Sequence, residues 1–206
     1  MKMIQGTKLA DQDDIKEENE DSADIGYRVM VAAGPYTPIS SLSYAPLHEL
    51  LEKIGEDKPA AVILLGPFLD ENNEFIKEGD LEIEGKPYEF VEYFNMLMHT
   101  ISESIQRNTP ETQVFVVPSP SDIHMMYPLP QPCFERTAEF TNIQFLSNPS
   151  HLRLRGDVKV AIMNADFVFD LISNELAKDN STNKIDAALQ QVLLQRHLYP
   201  IYPSMV

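Results

Sequence analysis

At 206 residues with 43% hydrophobic and 23% charged residues, the chain can bury a sizeable core, and general disorder is excluded. A formal net charge of -16 argues against phosphate-backbone binding as its own activity, because that relies on clustered Lys and Arg. One cysteine, Cys133, rules out an internal disulfide and fits a reducing compartment. No apolar run approaches membrane-spanning length and no secretory-type apolar segment opens the chain, so a soluble intracellular protein is expected.

Residues 1–26 lack periodic apolar positions and carry Asp11, Asp13, Asp14, Glu17, Glu18, Glu20, Asp21 and Asp24. Such a block is expected to be a disordered, solvated acidic tail or linker, with an acidic docking segment as the alternative. Arg28 to Ala33 then reads as a buried strand ending in Gly34-Pro35-Tyr36. Leu47, Leu50, Leu51 and Ile54 fall on one face of a helix near Tyr44 to Ile54, with Ser43 as its cap and Gly55 just past its end.

The stretch Ala60 to Asp70, AAVILLGPFLD, has the near-continuous apolar run of a strand covered on both faces. Strand, helix and strand at this spacing make a βαβ crossover, expected to be right-handed. A polar surface loop, Glu71 to Pro87, follows. A long helix near Tyr88 to Arg107 carries Phe90, Phe94, Leu97, Met98, Ile101 and Ile105 on one side. Gln113 to Val117 is a third buried strand. It leads into Pro118 to Phe134, where five prolines leave a stiff extended loop.

Ile143 to Leu146, His151 to Leu154 and Val158 to Met163 are short strands with turn signals at Asn148-Pro149 and Gly156-Asp157. Leu152 and Leu154 alternate with Arg153 and Arg155, as on a half-exposed hairpin. Asn164 is placed to cap a helix bearing Phe167, Val168, Leu171, Ile172 and Leu176, and a last helix spans Lys184 to His197 with Ile185, Leu189, Val192 and Leu193. The expected fold class is α/β, a layered sheet with flanking helices and no internal boundary after the tail.

In an open α/β sheet, chemistry gathers past the C-terminal ends of the strands. The first such loop, Ala33-Gly34-Pro35, offers no carboxylate or imidazole; the second offers Asp70; the third offers Ser119, Ser121, Asp122 and His124. A hard-metal phosphoesterase centre needs several ligands converging from separate loops. Asp70, Asp122 and His124 are the only candidates, and a lone Asp or His in a loop usually serves as a turn cap or surface polar group. No G-x-S-x-G elbow, Walker A loop or G-x-G-x-x-G fingerprint occurs, and Cys133 lacks a basic neighbour to activate it. No catalytic residue and no cofactor is therefore assigned.

The blocks VMVAAGPYT (Val29 to Thr37), VILLGPFLD (Val62 to Asp70), VFVVPSPSDIH (Val114 to His124), YPLPQPCF (Tyr127 to Phe134) and QRHLYPIYP (Gln195 to Pro203) resemble the B-subunit family of replicative DNA polymerases, in its alpha form. The resemblance covers nearly everything from Arg28 to Pro203. It implies a calcineurin-like phosphoesterase fold that has lost catalysis, paired with an oligonucleotide-binding domain. Active relatives carry Asp-x-His after the first strand, where Ala33 and Pro35 stand. They carry Gly-Asp-x-x-Asp after the second, where Gly66-Pro67-Phe68-Leu69-Asp70 keeps only the last Asp. They carry Gly-Asn-His after the third, where Pro118-Ser119-Pro120 stands.

The resemblance further implies a nuclear, non-catalytic scaffold that binds the C-terminal domain of the DNA polymerase alpha catalytic subunit. Through it the chain reaches the primase subunits, with DNA met only through the complex and no membrane role. The family has an oligonucleotide-binding domain where this chain has its acidic tail, and continues past Val206. Residues 27–206 are accordingly expected to be a partial, inactive phosphoesterase-like domain that exposes apolar surface. Candidate partner contacts are Met125, Met126, Tyr127, Leu129 and Phe134 on the proline-rich loop and Tyr199, Ile201 and Tyr202 near the end. Packing of these residues onto the chain's own sheet is the alternative. Net acidity suits docking on a basic partner. The rival class is a divergent metal-dependent phosphoesterase using Asp70, Asp122 and His124.

Overall fold

The computed structural model describes residues 27–83, 85–135, 140–174 and 183–201; the acidic block and Tyr202 lie outside them. The elements are β1 (Val29–Ala33), α1 (Ala45–Asp57), β2 (Ala61–Leu65), α2 (Glu74–Glu78), β3 (Glu82–Ile83), β4 (Lys86–Pro87), α3 (Phe90–Asn108), β5 (Gln113–Val117), β6 (Ile143–Phe145), β7 (Ser150–Arg153), β8 (Lys159–Ile162), α4 (Phe167–Ser173) and α5 (Lys184–Gln195).

The main sheet is parallel, in the order β1-β2-β5-β6, with Val62 level with Met30, Val114 and, through Val114, Ile143. Its two faces explain the continuous apolar runs. Val62, Leu64, Val114 and Val116 join the core beneath α1 and α3, with Leu47, Leu51, Phe94, Met98 and Ile101. Ala61, Ile63, Phe115 and Val117 pack on Leu152, Leu154 and Ile162, carried on or beside the β7–β8 hairpin. A strand sandwiched this way has no face left for polar residues. The alternation of Leu152 and Leu154 with exposed Arg153 and Arg155 is as the sequence implies.

Several local expectations are corrected. Ser43 is not the cap of α1. The N-cap is Tyr44, left-handed at φ 47, whose buried hydroxyl donates to the Phe68 carbonyl at 2.7 Å. Gly55 does not end α1, which runs on to Asp57 and stops at Lys58 in the left-handed region. The expected loop 71–87 carries α2, β3 and β4, with Ile76 and Leu81 buried. Asn73 caps α2 by accepting from the Phe75 and Ile76 N–H groups at 3.0 and 3.1 Å, and Gly79 closes it at φ 73. Ile143–Phe145 is a strand as expected, the parallel edge strand next to β5. Asp166, not Asn164, caps α4.

The α4–α5 pair buries little: Phe169 stands 65% exposed, and Leu193 and Leu194 76% and 75%. Val31 on the edge strand β1 is likewise 60% exposed. The stripe expected on α4, Phe167, Val168, Leu171 and Ile172, is half-buried, whereas Ile185, Leu189 and Leu193 of the stripe expected on α5 are exposed.

Candidate functional site at the strand ends

The loops leaving β1, β2 and β5 are drawn together at the C-terminal edge of the sheet. The Gly34 N–H donates to the Leu65 carbonyl and the Gly66 N–H to the Val117 carbonyl, each at 2.9 Å. The close approach requires glycine at both positions. A Cβ on Gly34 would overlap the Pro67 carbonyl, and one on Gly66 would overlap the Asp122 carboxylate.

Asp122 is fully buried at the centre of this edge. Its Oδ1 accepts from the N–H groups of Phe68 and Leu69, and its Oδ2 from Ser119 N–H at 2.9 Å. One side chain thereby ties the second loop to the third. Burial pushes its pKa up to about 6, against the pull of the three donors, and the nearby Asp70 charge adds a smaller upward push.

Asp70 faces elsewhere. Its backbone pairs with that of Asp122, while its carboxylate accepts from the N–H and the amide Nδ2 of Asn72, each at 3.0 Å, a local turn of the Asx kind. His124 is sandwiched in the aromatic core. Its ring lies parallel to Phe134 within 3°, centroids 5.3 Å apart, and 4.6 Å from Phe94. Both of its nitrogens are buried without a hydrogen-bond partner, and burial lowers its pKa to about 4. The three candidate ligands are thus committed to three separate tasks. Among the described residues, no group of three or more His, Cys, Asp or Glu is placed to hold a metal ion.

His124 makes a pH-dependent prediction. An imidazole whose folded pKa lies below its ordinary 6.5 is protonated first in the unfolded chain, so it costs stability as pH falls from about 6.5 to about 4. Asp122, raised to about 6, acts oppositely, and its contribution grows as pH falls through the same window. His124→Phe removes only the loss. Its stability advantage over the parent chain should widen by about 2 kcal/mol between pH 7.5 and pH 5 in urea unfolding. An unchanged gap would mean that the buried imidazole is not held neutral.

Three amides complete the site, Gln131 and Asn148 buried and Asn164 half-buried, and sequence reasoning missed them. Gln131 donates to the carbonyls of Ser119 and Met125 at 3.1 and 3.2 Å. Asn148 donates to Gln131 Oε1 at 2.9 Å and to the Asn164 carbonyl at 2.8 Å, and accepts from Asn164 N–H at 2.9 Å. Asn164, freed from capping, donates to the carbonyls of Gly66 and Pro118 at 3.0 and 3.1 Å. A signal was available. Gln131 lies between Pro130 and Pro132, and Asn148 precedes Pro149. Prolines supply no N–H, so carbonyls near them need donors from side chains.

The predicted partner contacts divide. Met125 and Phe134 are core, 8% and 3% exposed, and Phe134 packs against Phe68, Phe94 and Phe145; both are thereby removed from any contact surface of this chain. Met126 and Tyr127 are 61% and 56% exposed, and Leu129 is half-buried. Ile39, after β1, and Phe75, on α2 after β2, are further exposed apolar residues at this edge, and no sequence pattern singles them out. Tyr199 is half-buried and donates from its hydroxyl to Asp170 Oδ2 at 2.7 Å. Ile201 is half-buried.

Comparison with known proteins adds an independent result. The family of the DNA polymerase alpha/epsilon B subunit matches residues 29–206. Similar curated proteins are each named as the B subunit of DNA polymerase alpha. The one from Rattus norvegicus is 33% identical over 180 residues, covering 85% of this chain and 29% of its own length. The one from Drosophila melanogaster is 33% identical over 176 residues, covering 84% and 27%. The one from Saccharomyces cerevisiae is 28% identical over 193 residues, covering 87% and 26%. The chain therefore spans under a third of the length of these relatives.

Proposed function

The chain belongs to the DNA polymerase alpha/epsilon B-subunit family, and we propose that it is a non-catalytic scaffold in the DNA polymerase alpha–primase assembly. In this reading residues 27–206 form part of an inactivated calcineurin-like domain. They dock on the C-terminal region of the polymerase alpha catalytic subunit, through it reach primase, and serve the initiation of replication in the nucleus. DNA is met through the assembly.

One observation carries the proposal. At the edge where an open α/β sheet places its chemistry, Asp122 and Asn164 join the loops to one another. Both oxygens of Asp122 are engaged by backbone N–H groups, and Asn164 holds two loop carbonyls. Outward from the same edge stand Met126, Tyr127, Ile39 and Phe75, all exposed. Exposed Met and Tyr are the residue types that anchor protein interfaces.

The test is a pull-down of this chain with the C-terminal region of the polymerase alpha catalytic subunit at about 0.15 M salt. Retention is expected. No retention by a chain with a cooperative unfolding transition would overturn the docking assignment. Titration with manganese and zinc is expected to yield no stoichiometric binding; one or two tightly bound ions would favour the divergent phosphoesterase instead.

A further inference from the structure

At the opposite pole, where the parallel strands begin, an open cleft of about 370 Å³ is lined by Tyr27, Arg28, Lys58, Thr109, Glu111 and Arg155 among others. Three cations against one carboxylate in that set is an inversion of the chain's overall balance, which is -16. The topology assembles them. Arg28 precedes β1, Lys58 ends α1, and Arg155 follows β7. The C-terminal ends of α1 and α3 meet here too, and because their carbonyl ends carry negative partial charge, any attraction for carboxylates comes from the side chains of Arg28, Lys58 and Arg155. Arg28 donates to the Asp57 carbonyl at the end of α1. Thr109, at the end of α3, adds a buried hydroxyl without a partner.

We propose that this cleft is the docking site of the chain's own acidic segment, residues 11–24. Charge complementarity is the first ground: eight carboxylates fall in that segment, Asp11, Asp13, Asp14, Glu17, Glu18, Glu20, Asp21 and Asp24. Connectivity is the second. The chain enters the fold at Tyr27, which packs against the second core and forms part of the cleft wall. Glu17 to Asp24 therefore lie within ten residues of the cleft, a reach of about 35 Å at most. A tether this short gives the segment an effective concentration on the order of millimolar, which outside peptides rarely match. Docking there would hold the lead-in at the pole opposite the strand-end loops, leaving Met126 and Tyr127 clear.

Zero-length carbodiimide coupling of the full chain, followed by peptide mass spectrometry, tests this, since the reagent condenses a carboxylate only with an amine already in contact. Lys58 is expected to be joined to a carboxylate of residues 11–24 within the monomer, in preference to Lys77 and Lys86. The yield should drop several-fold in roughly 0.5 M sodium chloride, where the screening length falls to about 4 Å. It should drop as well in Arg155→Glu and, separately, in Arg28→Glu. The proposal is overturned if Lys58 couples only to Asp57 or Glu111, or to no carboxylate. It is equally overturned if residues 11–24 couple without preference among lysines, or only between molecules in dimers.

Discussion

Asp122→Ala is expected to lower the unfolding free energy by about 3–5 kcal/mol, among the largest effects open to a single change in this chain. The carboxylate is fully buried and serves three backbone donors, those of Phe68, Leu69 and Ser119. Alanine leaves all three without their acceptor, at about 1–3 kcal/mol for each one that water cannot reach. The upper part of the range assumes that the loops stay closed; if they open, the cost moves into lost packing of Phe68 and Leu69. A domain of this size should lose roughly 10 °C or more in Tm. Asp122→Asn keeps one acceptor oxygen and should fall between the parent chain and Asp122→Ala. If Asp122→Ala left Tm unchanged, the carboxylate would not be the tie between the loops.

Gly66→Ala is the second. Its Cβ would overlap Asp122 Oδ2 and lie 3.0 Å from the Ser119 N–H nitrogen, so the methyl group displaces the same tie from the other side. Overpacking costs about 1–3 kcal/mol, and the displaced hydrogen bond adds about 1 kcal/mol or more. A loss of about 3 kcal/mol in urea unfolding is expected. The loss in Gly66→Ala combined with Asp122→Ala should be well short of the sum, because both changes break one contact. Additive losses would separate the glycine from the carboxylate.

The scaffold was legible in the sequence where burial alone decides structure. Ala61–Leu65 and Gln113–Val117 read as strands because both faces are covered, and α1 and α3 read as helices because one stripe of each is core. What escaped depended on tertiary hydrogen bonds. Asn164 is a reasonable cap by residue type, yet two loop carbonyls 98 and 46 residues away claim its amide. Gly55 has the right type for a helix end, yet Lys58 turns the chain three residues later. Met125 and Met126 are neighbours of the same kind on a proline-rich loop without periodicity. Nothing local reveals that one is core and the other surface. Gln131 and Asn148 looked like ordinary loop polarity until the carbonyls they serve were in view.

The comparisons fix the family, and the geometry bears on how this part of it works. A sheet edge that closes on itself through Asp122, Gln131, Asn148 and Asn164 presents a fixed surface, and a fixed surface loses little entropy when a partner docks. If the proposed docking holds, the internal amide network would serve recognition by fixing that surface.

The most direct measurement is calorimetric titration of the chain into the C-terminal region of the polymerase alpha catalytic subunit, parent chain against Met126→Asp/Tyr127→Asp, with Tm recorded for both. Both side chains are more than half exposed, so Tm should hold within about 2 °C, while affinity falls by roughly 30-fold or more if they are central anchors. Equal affinity for the two proteins at equal Tm would contradict the account and move the docking surface away from the strand-end loops.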